Sequence, residues 1–262
     1  NKKKPLPGID PSGLRPKGES MEKFDAIVIG AGSSGGVVAA RLSENADCRV
    51  LLLEAGPDFP REAEVPPLFT VSGEHSWRVA GTPEFDWDFT NTDGAGTLQG
   101  RSPRLPRGKL MGGTSMVNAT IAARGAPFDY DRWAAMGNPG WSWKELLPLF
   151  IKIENDVDFG EQPIHGKDGP IVIQRYRPQS WAPVNRIMYE ACIELGLREA
   201  PDLNALDAHA GVVGAMPHNR FKEVRLGTLV TYIREARKRS NLTIRAGAMV
   251  DRLVLNGGKV SG

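Results

Sequence analysis

A glycine-rich turn early in the sequence has the residue types and the spacing that hold a dinucleotide pyrophosphate. The turn follows the apolar run 24–29, which is typical of a buried parallel strand, and a helix and a second buried strand over 49–53 are predicted after it. Gly30 permits the tight turn, Gly32 lets the backbone approach a pyrophosphate, and Gly35 lets the helix pack closely on the strand. The N-terminus of the helix adds unpaired N–H groups and a partial positive charge.

An acidic residue completes this unit. Glu54 lies 19 residues after Gly35, at the end of the second predicted strand. A carboxylate at this position accepts hydrogen bonds from ribose hydroxyls and repels a 2′-phosphate, which argues against NADP. The glycine pattern, the strand–helix–strand context and the acidic residue together indicate dinucleotide binding rather than a turn that serves packing alone.

The same turn also matches the nucleophile elbow of hydrolases. The run 32–36 has the Gly-x-Ser-x-Gly pattern, with Ser34 as the nucleophile. Three downstream histidines are available as its base: His165, His209 and His218. However, an elbow normally follows several strands, whereas this turn follows the first predicted strand, and the elbow leaves Glu54 without a role. A serine hydrolase is therefore the weaker alternative.

A second glycine-rich segment, residues 100–118, suggests a cofactor longer than a nicotinamide dinucleotide. Pro103 and Pro106 exclude a regular helix or a central strand there. The run 112–115 is a second place where the backbone can come very close to a ligand, and Asn118 follows it. FAD has a pyrophosphate and also a wide tricyclic ring that must be held, so two such cradles suit it.

From residue 24 to residue 262 the chain resembles the glucose–methanol–choline (GMC) oxidoreductases, in particular the choline-dehydrogenase-like members. The resemblance rests first on residues 25–35, 52–56 and 108–118, the last of which match the first signature of the family. Further matching segments are 124–125, 128–133, 140–143, 165–170, 202–204 and 241–244. Met111 stands where the family usually has Leu or a similar aliphatic residue, and no functional consequence is expected from this adaptable side chain.

The resemblance implies an α/β fold, with a Rossmann-like FAD-binding domain and part of an antiparallel-sheet substrate domain, incomplete in this chain. We expect the FAD-binding domain in residues 21–155 and 230–262 and the substrate domain in 156–229, with 1–20 as a flexible extension or expression remnant. In the second half the sequence itself predicts helices and strands over residues 171–176 (strand), 184–197 (helix), 228–239 (helix), 242–244 (strand) and 253–255 (strand).

The resemblance also implies bound FAD and assigns its contacts. Ser33 and Ser34 are expected along the pyrophosphate, and Glu54, with Ala55 beside it, at the ribose. The expected cofactor-binding residues are Gly30, Gly32, Ser33, Ser34, Gly35, Glu54, Ala55, Trp87, Met111, Gly113, Ser115, Asn118, Ala119, Thr120, Ile121 and Val250.

For several of these residues the resemblance also implies which part of FAD they contact. The backbones of Met111 and Gly113 are expected against the flavin, residues 118–121 along the flavin and pyrophosphate, and the backbone of Val250 at the adenine. Trp87 is interpreted either as a cofactor contact or as a packed core aromatic. Some family members carry a His just before the Asn and link it to the flavin; Val117 has no nucleophile there, so non-covalent FAD is expected.

By the same resemblance, no catalytic residue is expected in this chain. The family oxidises the CH–OH group of an alcohol by hydride transfer to flavin N5, with a His near the C-terminus as base, beyond position 262. We therefore expect the C-terminal portion of the enzyme as a partner, besides a small alcohol and an electron acceptor, either oxygen or a carrier. A hydroxynitrile lyase, which keeps FAD without net redox chemistry, and a non-catalytic FAD-binding fragment are alternatives.

Composition excludes several other classes of protein. Of 262 residues, 40% are hydrophobic and 24% charged, which excludes a disordered chain. Residues 1–20 contribute +3 to the net charge of +2 and the rest of the chain sums to −1, so nothing demands nucleic acid or an anionic membrane. No apolar run reaches transmembrane length, and Cys48 and Cys192 form no disulfide framework, so a cytoplasmic location is expected. The histidines lack metal-ligand spacing, so no metal is expected; His165 is interpreted as a turn residue and the basic run 101–109 as a solvated loop.

Overall fold

The described chain begins with a strand–helix–strand unit, as the sequence predicts. The computed structural model describes residues 22–72, 78–91, 100–206 and 210–262; the predicted extension 1–20, His75 and His209 lie outside the described residues. The first half contains β1 (Ala26–Ile29), α1 (Gly35–Leu42), β2 (Val50–Leu53), α2 (Pro67–Thr70), β3 (Phe89–Thr90), β4 (Arg104–Leu105), α3 (Pro127–Ala135) and α4 (Trp143–Ile153).

The second half consists of shorter elements. Its strands are β5 (Glu154–Asp156), β6 (Ile171–Arg175), β7 (Arg198–Glu199), β8 (Val212–Val213), β9 (Pro217–His218), β10 (Arg220–Phe221), β11 (Val224–Arg225), β12 (Leu242–Arg245), β13 (Leu255–Asn256) and β14 (Lys259–Val260). Its helices are α5 (Pro183–Glu194), a π-helical turn (Leu229–Ile233) and α6 (Arg234–Ala236). The 3₁₀ turns of the chain include Glu62–Glu64, Gly113–Met116 and Pro178–Ser180. In the described residues, none of the helices is both long and apolar enough to cross a bilayer.

A parallel sheet of order β1-β2-β12 lies at the centre of the first unit. Val50 in β2 is paired with Ala26 on one side and with Leu242 on the other, so β2 is the central strand. Its sequence Val-Leu-Leu-Leu fits that position, because a parallel strand covered on both faces reads as a continuous apolar run. The carboxyl ends of the strands therefore share one edge of the sheet.

Helix α1 covers one face of this sheet through small residues. Ala39 and Ala40 are buried in the core, and the π-helical turn packs against α1. A Cβ on Gly36 would lie 2.9 Å from the terminal methyl of Ile233, so the glycine is what allows this close packing. The predicted helix over 228–239 is thus present in altered form, as a π-helical turn followed by the short α6.

The second sheet, of order β5-β6-β9, is mixed rather than antiparallel. The expected antiparallel pairing is found between β6 and β9, but β5 pairs with β6 in parallel. The connection 157–170 explains the difference, because it is long enough for a parallel crossover, which takes about a dozen residues or more. The division of the chain into the two expected domains stays a prediction.

A buried ionic network joins this second sheet to the loops around it. It contains four carboxylates and four cations, of which only Arg177 is exposed: Glu154, Asp156, Asp158, Asp202, Arg124, Arg175, Arg177 and His165. The ring of His165 is fully buried, with Nδ1 at 2.9 Å from a Glu154 oxygen and Nε2 at 2.8 Å from an Asp202 oxygen. His165 is therefore more than a turn residue, since its ring bonds two buried carboxylates at once.

The contacts of His165 keep its imidazole charged. Burial alone would lower its pKa, but the hydrogen bonds to Asp202 and Glu154 outweigh burial and raise the pKa of His165 from 6.5 to about 9. The same bonds hold the pKa of Glu154 and of Asp202 below the usual range, although burial opposes this. With His165 protonated, the four positive charges of the network balance its four carboxylates.

This charge balance predicts a loss of stability in alkaline solution. Because the pKa is 6.5 in the unfolded chain and about 9 in the folded one, the contribution of His165 is complete below pH 6.5 and lost as pH rises through 9. The free energy of unfolding should fall by on the order of 3 kcal/mol over this window. Denaturant titrations at a series of pH values measure this fall in the free energy of unfolding.

His218→Gln, with His165 intact, is the matched control and should show the same fall. His165→Gln should lower stability at pH 6.5 and abolish the dependence, because it leaves the carboxylates undercompensated at every pH. An unfolding free energy of the unaltered protein that stays level across the window would contradict the assignment.

Candidate functional site

A cavity of about 560 Å³ opens at the carboxyl ends of β1 and β2. Ile29 and Leu53, the last residues of these strands, line it. In open α/β sheets this edge is where ligands bind. Ten residues expected from the sequence to contact the cofactor line this cavity: Gly30, Gly32, Ser33, Ser34, Gly35, Glu54, Ala55, Trp87, Gly113 and Val250.

The first glycine turn forms the floor of the cavity. Gly30 has a φ of +87°, a conformation that glycine adopts without strain. A Cβ on Gly35 would overlap the carbonyl oxygen of Gly30, so the turn is closed too tightly for any side chain there. No acidic side chain lies in the first turn of α1, and its N-terminus therefore faces the cavity with an uncompensated positive end.

The carboxylate of Glu54 is held in a defined orientation at the end of β2. One of its oxygens accepts the N–H of Ala31 at 2.8 Å and the other accepts the N–H of Gly56 at 2.9 Å. Each oxygen keeps a further lone pair, and the residue lines the cavity. The side chain is thus positioned to accept hydroxyl groups, as the ribose of a nucleotide offers.

The second glycine segment comes into direct backbone contact with the first. The N–H of Gly112 donates to the carbonyl of Ala31 at 2.8 Å, and a Cβ on Gly113 would lie 2.6 Å from the Cα of Gly32. Gly112 and Gly113 have φ values of +89° and +53°. Two segments some 80 residues apart thus form one continuous backbone wall, which is the double cradle that the sequence predicts.

Two of the predicted contacts point into the protein instead. Met111 is fully buried in the core, and its N–H donates to the carbonyl of Pro57. The hydroxyl of Ser115 donates to the carbonyl of Gly112 at 2.6 Å and accepts the N–H of Thr228 at 2.9 Å. Neither residue lines the cavity, so Ser115 acts here as a brace for the loop; their assignment as cofactor contacts stays a prediction.

Residues 118–121, also predicted as contacts, continue from the 3₁₀ turn beyond the cavity wall. The N–H of Asn118 bonds the carbonyl of Thr114, which does line the cavity, so Asn118 lies one turn further along the same face. Thr120 is fully buried with a φ of +58°, and Ile121 is 55% exposed. A flavin contact for these residues, with Ala119, stays a prediction.

Besides Ile29 and Leu53, six lining residues were not assigned to the cofactor from the sequence: Phe89, Arg107, Gly108, Thr114, Ala248 and Met249. Phe89 stacks on Trp87 with 6.0 Å between ring centroids and 10° between planes, so both rings form a flat wall. Arg107 belongs to the basic run interpreted as a solvated loop; its guanidinium is exposed, yet it lines the cavity. Its place directly before the signature run 108–118 was the available signal.

The geometry disfavours the hydrolase alternative. Ser34 is exposed at the start of α1, but neither histidine in the described part of the chain lines the cavity. Both ring nitrogens of His165 bond carboxylates elsewhere, and Nδ1 of His218 lies 3.1 Å from the hydroxyl of Thr120. Ser34 thus has no base within the described residues, whereas Glu54 has a clear place in a nucleotide site.

Comparison with known proteins agrees with this geometry. The family model described as GMC oxidoreductase matches residues 24–262. The chain belongs to the GMC oxidoreductase family. Members of the family are FAD-dependent oxidoreductases with an FAD-binding Rossmann fold, so the family, fold and cofactor expected from the sequence are confirmed.

Three similar proteins show how much of such a protein the chain represents. The 5-(hydroxymethyl)furfural oxidase of Methylovorus sp. (strain MP688) is 40% identical over 187 residues, 70% of this chain and 35% of that protein. The oxygen-dependent choline dehydrogenase of Vibrio vulnificus (strain YJ016) is 34% identical over 236 residues, 90% and 40% respectively. The match to the crystal structure of pyridoxine 4-oxidase from Mesorbium loti has a TM-score of 0.79 at 34% identity. It covers 91% of this chain and 45% of the pyridoxine 4-oxidase chain. The chain spans less than half the length of each.

The two facing glycines are predicted to respond differently to alanine. A Cβ on Gly32 would meet only the Cα of Gly113 at an ordinary 3.8 Å, so Gly32→Ala fits the protein but places a methyl group at the cavity wall. We expect Gly32→Ala to keep the melting temperature and to weaken FAD binding by tenfold or more, about 1.4 kcal/mol. Gly113→Ala should lower the melting temperature as well, because it clashes with the Gly32 backbone and requires a positive φ.

Thermal unfolding without flavin and titration with FAD measure the two effects separately. Gly247→Ala, at an open position with positive φ outside the cavity lining, controls for backbone strain alone and should leave FAD affinity unchanged. Equal FAD affinities for Gly32→Ala and the unaltered protein would contradict the cradle.

Proposed function

We propose that this chain supplies the FAD-binding part of an enzyme that oxidises the CH–OH group of a small alcohol. The observation that carries the proposal is the cavity on which two glycine backbones and the oriented carboxylate of Glu54 converge. The names of the similar proteins support the substrate class, because 5-(hydroxymethyl)furfural, choline and pyridoxine are all alcohols.

The residues of the chain divide the work of binding. The backbone of the first turn and the N-terminus of α1 receive the pyrophosphate, since they offer N–H groups and no side-chain bulk. Glu54 accepts the ribose hydroxyls, and the segment 113–121 extends toward the flavin. Bound FAD would supply the hydride acceptor that oxidation of the alcohol to a carbonyl compound requires.

Alcohol oxidation also needs a base for the hydroxyl proton, and we assign no residue of this chain to that role. His165 is fixed between carboxylates, and His218 is directed to Thr120, so neither described histidine faces the cavity. We place the base in the part of the whole protein that corresponds to the remaining length of the relatives. The electron acceptor is oxygen or another carrier.

The proposal predicts that an alcohol reduces the flavin of the complete protein. Titration under anaerobic conditions with 5-(hydroxymethyl)furfural, choline and pyridoxine should bleach the flavin absorbance with at least one of them. The methyl ether of the active alcohol, which lacks the hydroxyl proton, is the control and should leave the absorbance unchanged. Admission of oxygen then tests the acceptor, because only an oxidase regains its absorbance rapidly.

A flavin that remains oxidised with every alcohol, in a protein that releases cyanide from a cyanohydrin, would refute alcohol oxidation and identify a hydroxynitrile lyase. A flavin that no ligand reduces and a protein without either activity would instead identify a non-catalytic FAD-binding protein.

Non-covalent attachment of the flavin is predicted from Val117. Its side chain is 3% exposed, packs in the hydrophobic core and carries no nucleophile. Acid precipitation of the flavin-loaded protein should therefore leave all flavin in the supernatant. Val117→Ala, equally inert, is the matched control; yellow flavin in the washed pellet of the unaltered protein would contradict the prediction.

A further inference from the structure

We propose that Arg225 is a positioning residue that orients the amide of Asn118 as a hydrogen-bond donor toward the flavin. The inference rests on the proposed function, because it assumes that the segment 118–121 meets the cofactor. It begins from one contact: Nη1 of Arg225 donates to Oδ1 of Asn118 at 2.8 Å. The two residues lie 107 positions apart in the sequence, so only the fold brings them together.

The contacts of Asn118 decide which way its amide faces. Oδ1 receives the guanidinium of Arg225 and also the backbone N–H of Thr120 at 3.0 Å. Both partners can only donate, so the atom between them must be the oxygen and the other end of the amide must be the NH₂ group. Within the described part of the chain Nδ2 makes no hydrogen bond, and the half-buried side chain leaves it outside the closed interior. Asn118 is therefore a donor held ready for a ligand.

The backbone around Asn118 is held as firmly as the amide. Thr120 has a φ of +58°, a strained conformation for a β-branched residue that persists only when neighbouring contacts enforce it. Its hydroxyl lies 3.1 Å from Nδ1 of His218 and its carbonyl accepts the N–H of Asn219 at 2.7 Å. With the bond from its N–H to Asn118, Thr120 is thus held at its N–H, its hydroxyl and its carbonyl. Strain enforced by so many contacts is typical of a segment that must present its groups accurately.

Arg225 has the properties that orientation by a fixed charge requires. Its side chain is fully buried, among the largest in the described chain to be so. It belongs to β11, whose pairing with β10 sets it directly opposite Arg220. A guanidinium bond to a neutral acceptor is about twice as strong as a neutral pair, so the amide rotation of Asn118 is fixed by this contact more than by any other.

The hairpin also contains a matched control for burial and charge. Arg220 is buried to the same degree, but its guanidinium stacks on Tyr176 at 3.6 Å from the ring centroid and pairs with Glu223. Among the described residues, its guanidinium makes no hydrogen bond to Asn118. Removing Arg220 therefore imposes a similar structural cost on the same hairpin without touching the amide.

The test compares Arg225→Met, Asn118→Ala, the double variant and Arg220→Met in the complete flavin-loaded protein. For each we measure the melting temperature, the dissociation constant of FAD, the visible flavin spectrum and the flavin midpoint potential. Arg225→Met should change the spectrum and the potential in the same direction as Asn118→Ala and weaken FAD binding by about tenfold, the effect of one hydrogen bond to a charged group. In the Asn118→Ala background, Arg225→Met should add nothing to these flavin properties. Arg220→Met should lower the melting temperature and leave the spectrum and potential unchanged.

Arg225→Lys keeps a cationic donor and covers the case in which Arg225→Met fails to fold; it should give a spectrum between those of Arg225→Met and the unaltered protein. Independent effects of Arg225→Met and Asn118→Ala, or an equal spectral change in Arg220→Met, would overturn the positioning role while leaving the proposed function intact. Absence of FAD from the unaltered protein would overturn the proposed function and this inference with it.

Discussion

The close approach of two backbones, at Gly32 and Gly113, is the constraint on which the rest of this structure depends. The distance leaves no room for a side chain on Gly113, and the hydrogen bond from Gly112 to Ala31 holds it in place. Because the two glycine-rich loops touch, their backbones line one wall of a cavity that neither loop could form alone. A pyrophosphate needs such a wall, since it must be met at short range by many weak donors rather than by one strong charge.

Other parts of the fold serve this contact. The hydroxyl of Thr228 lies near the carbonyls of both Gly32 and Gly112, at 3.4 and 3.3 Å, and bonds Ser115 at 3.0 Å. Thr228 directly precedes the π-helical turn that packs on α1, so this turn and both glycine loops share one set of hydrogen bonds. The ionic network around His165 stabilises the second sheet independently. Only Asn219 separates β9 of that sheet from β10. The stability of the sheet therefore bears directly on the β10–β11 hairpin, which contains Arg225.

Sequence reasoning succeeds here where a function depends on neighbours in the chain and fails where it depends on distant ones. The segment from Gly30 to Glu54 is contiguous in the sequence. Its turn, helix, strand and acidic residue were therefore all predicted, and they lie where expected. Ala248 and Met249 reach the cavity through tertiary folding, and no local pattern distinguishes them. His165 was interpreted as a turn residue because its partner Asp202 lies 37 positions away. The parallel pairing of β5 was missed for the same reason, since it depends on the path of the connection 157–170.

The distribution of charge is a further argument for the nature of the ligand. Among the described residues that line the cavity, only Glu54 and Arg107 are charged. The chain contains 31 acidic residues, and several of those that are buried are neutralised in the network around His165, away from the cavity. A ligand with negative charge at its centre therefore meets backbone donors and no competing carboxylate, whereas its hydroxyl-bearing end meets Glu54. An NADP-type 2′-phosphate would be repelled at that end, and a small neutral metabolite would leave the double backbone wall without a partner. FAD, with its central pyrophosphate and unphosphorylated ribose, matches both ends of this arrangement.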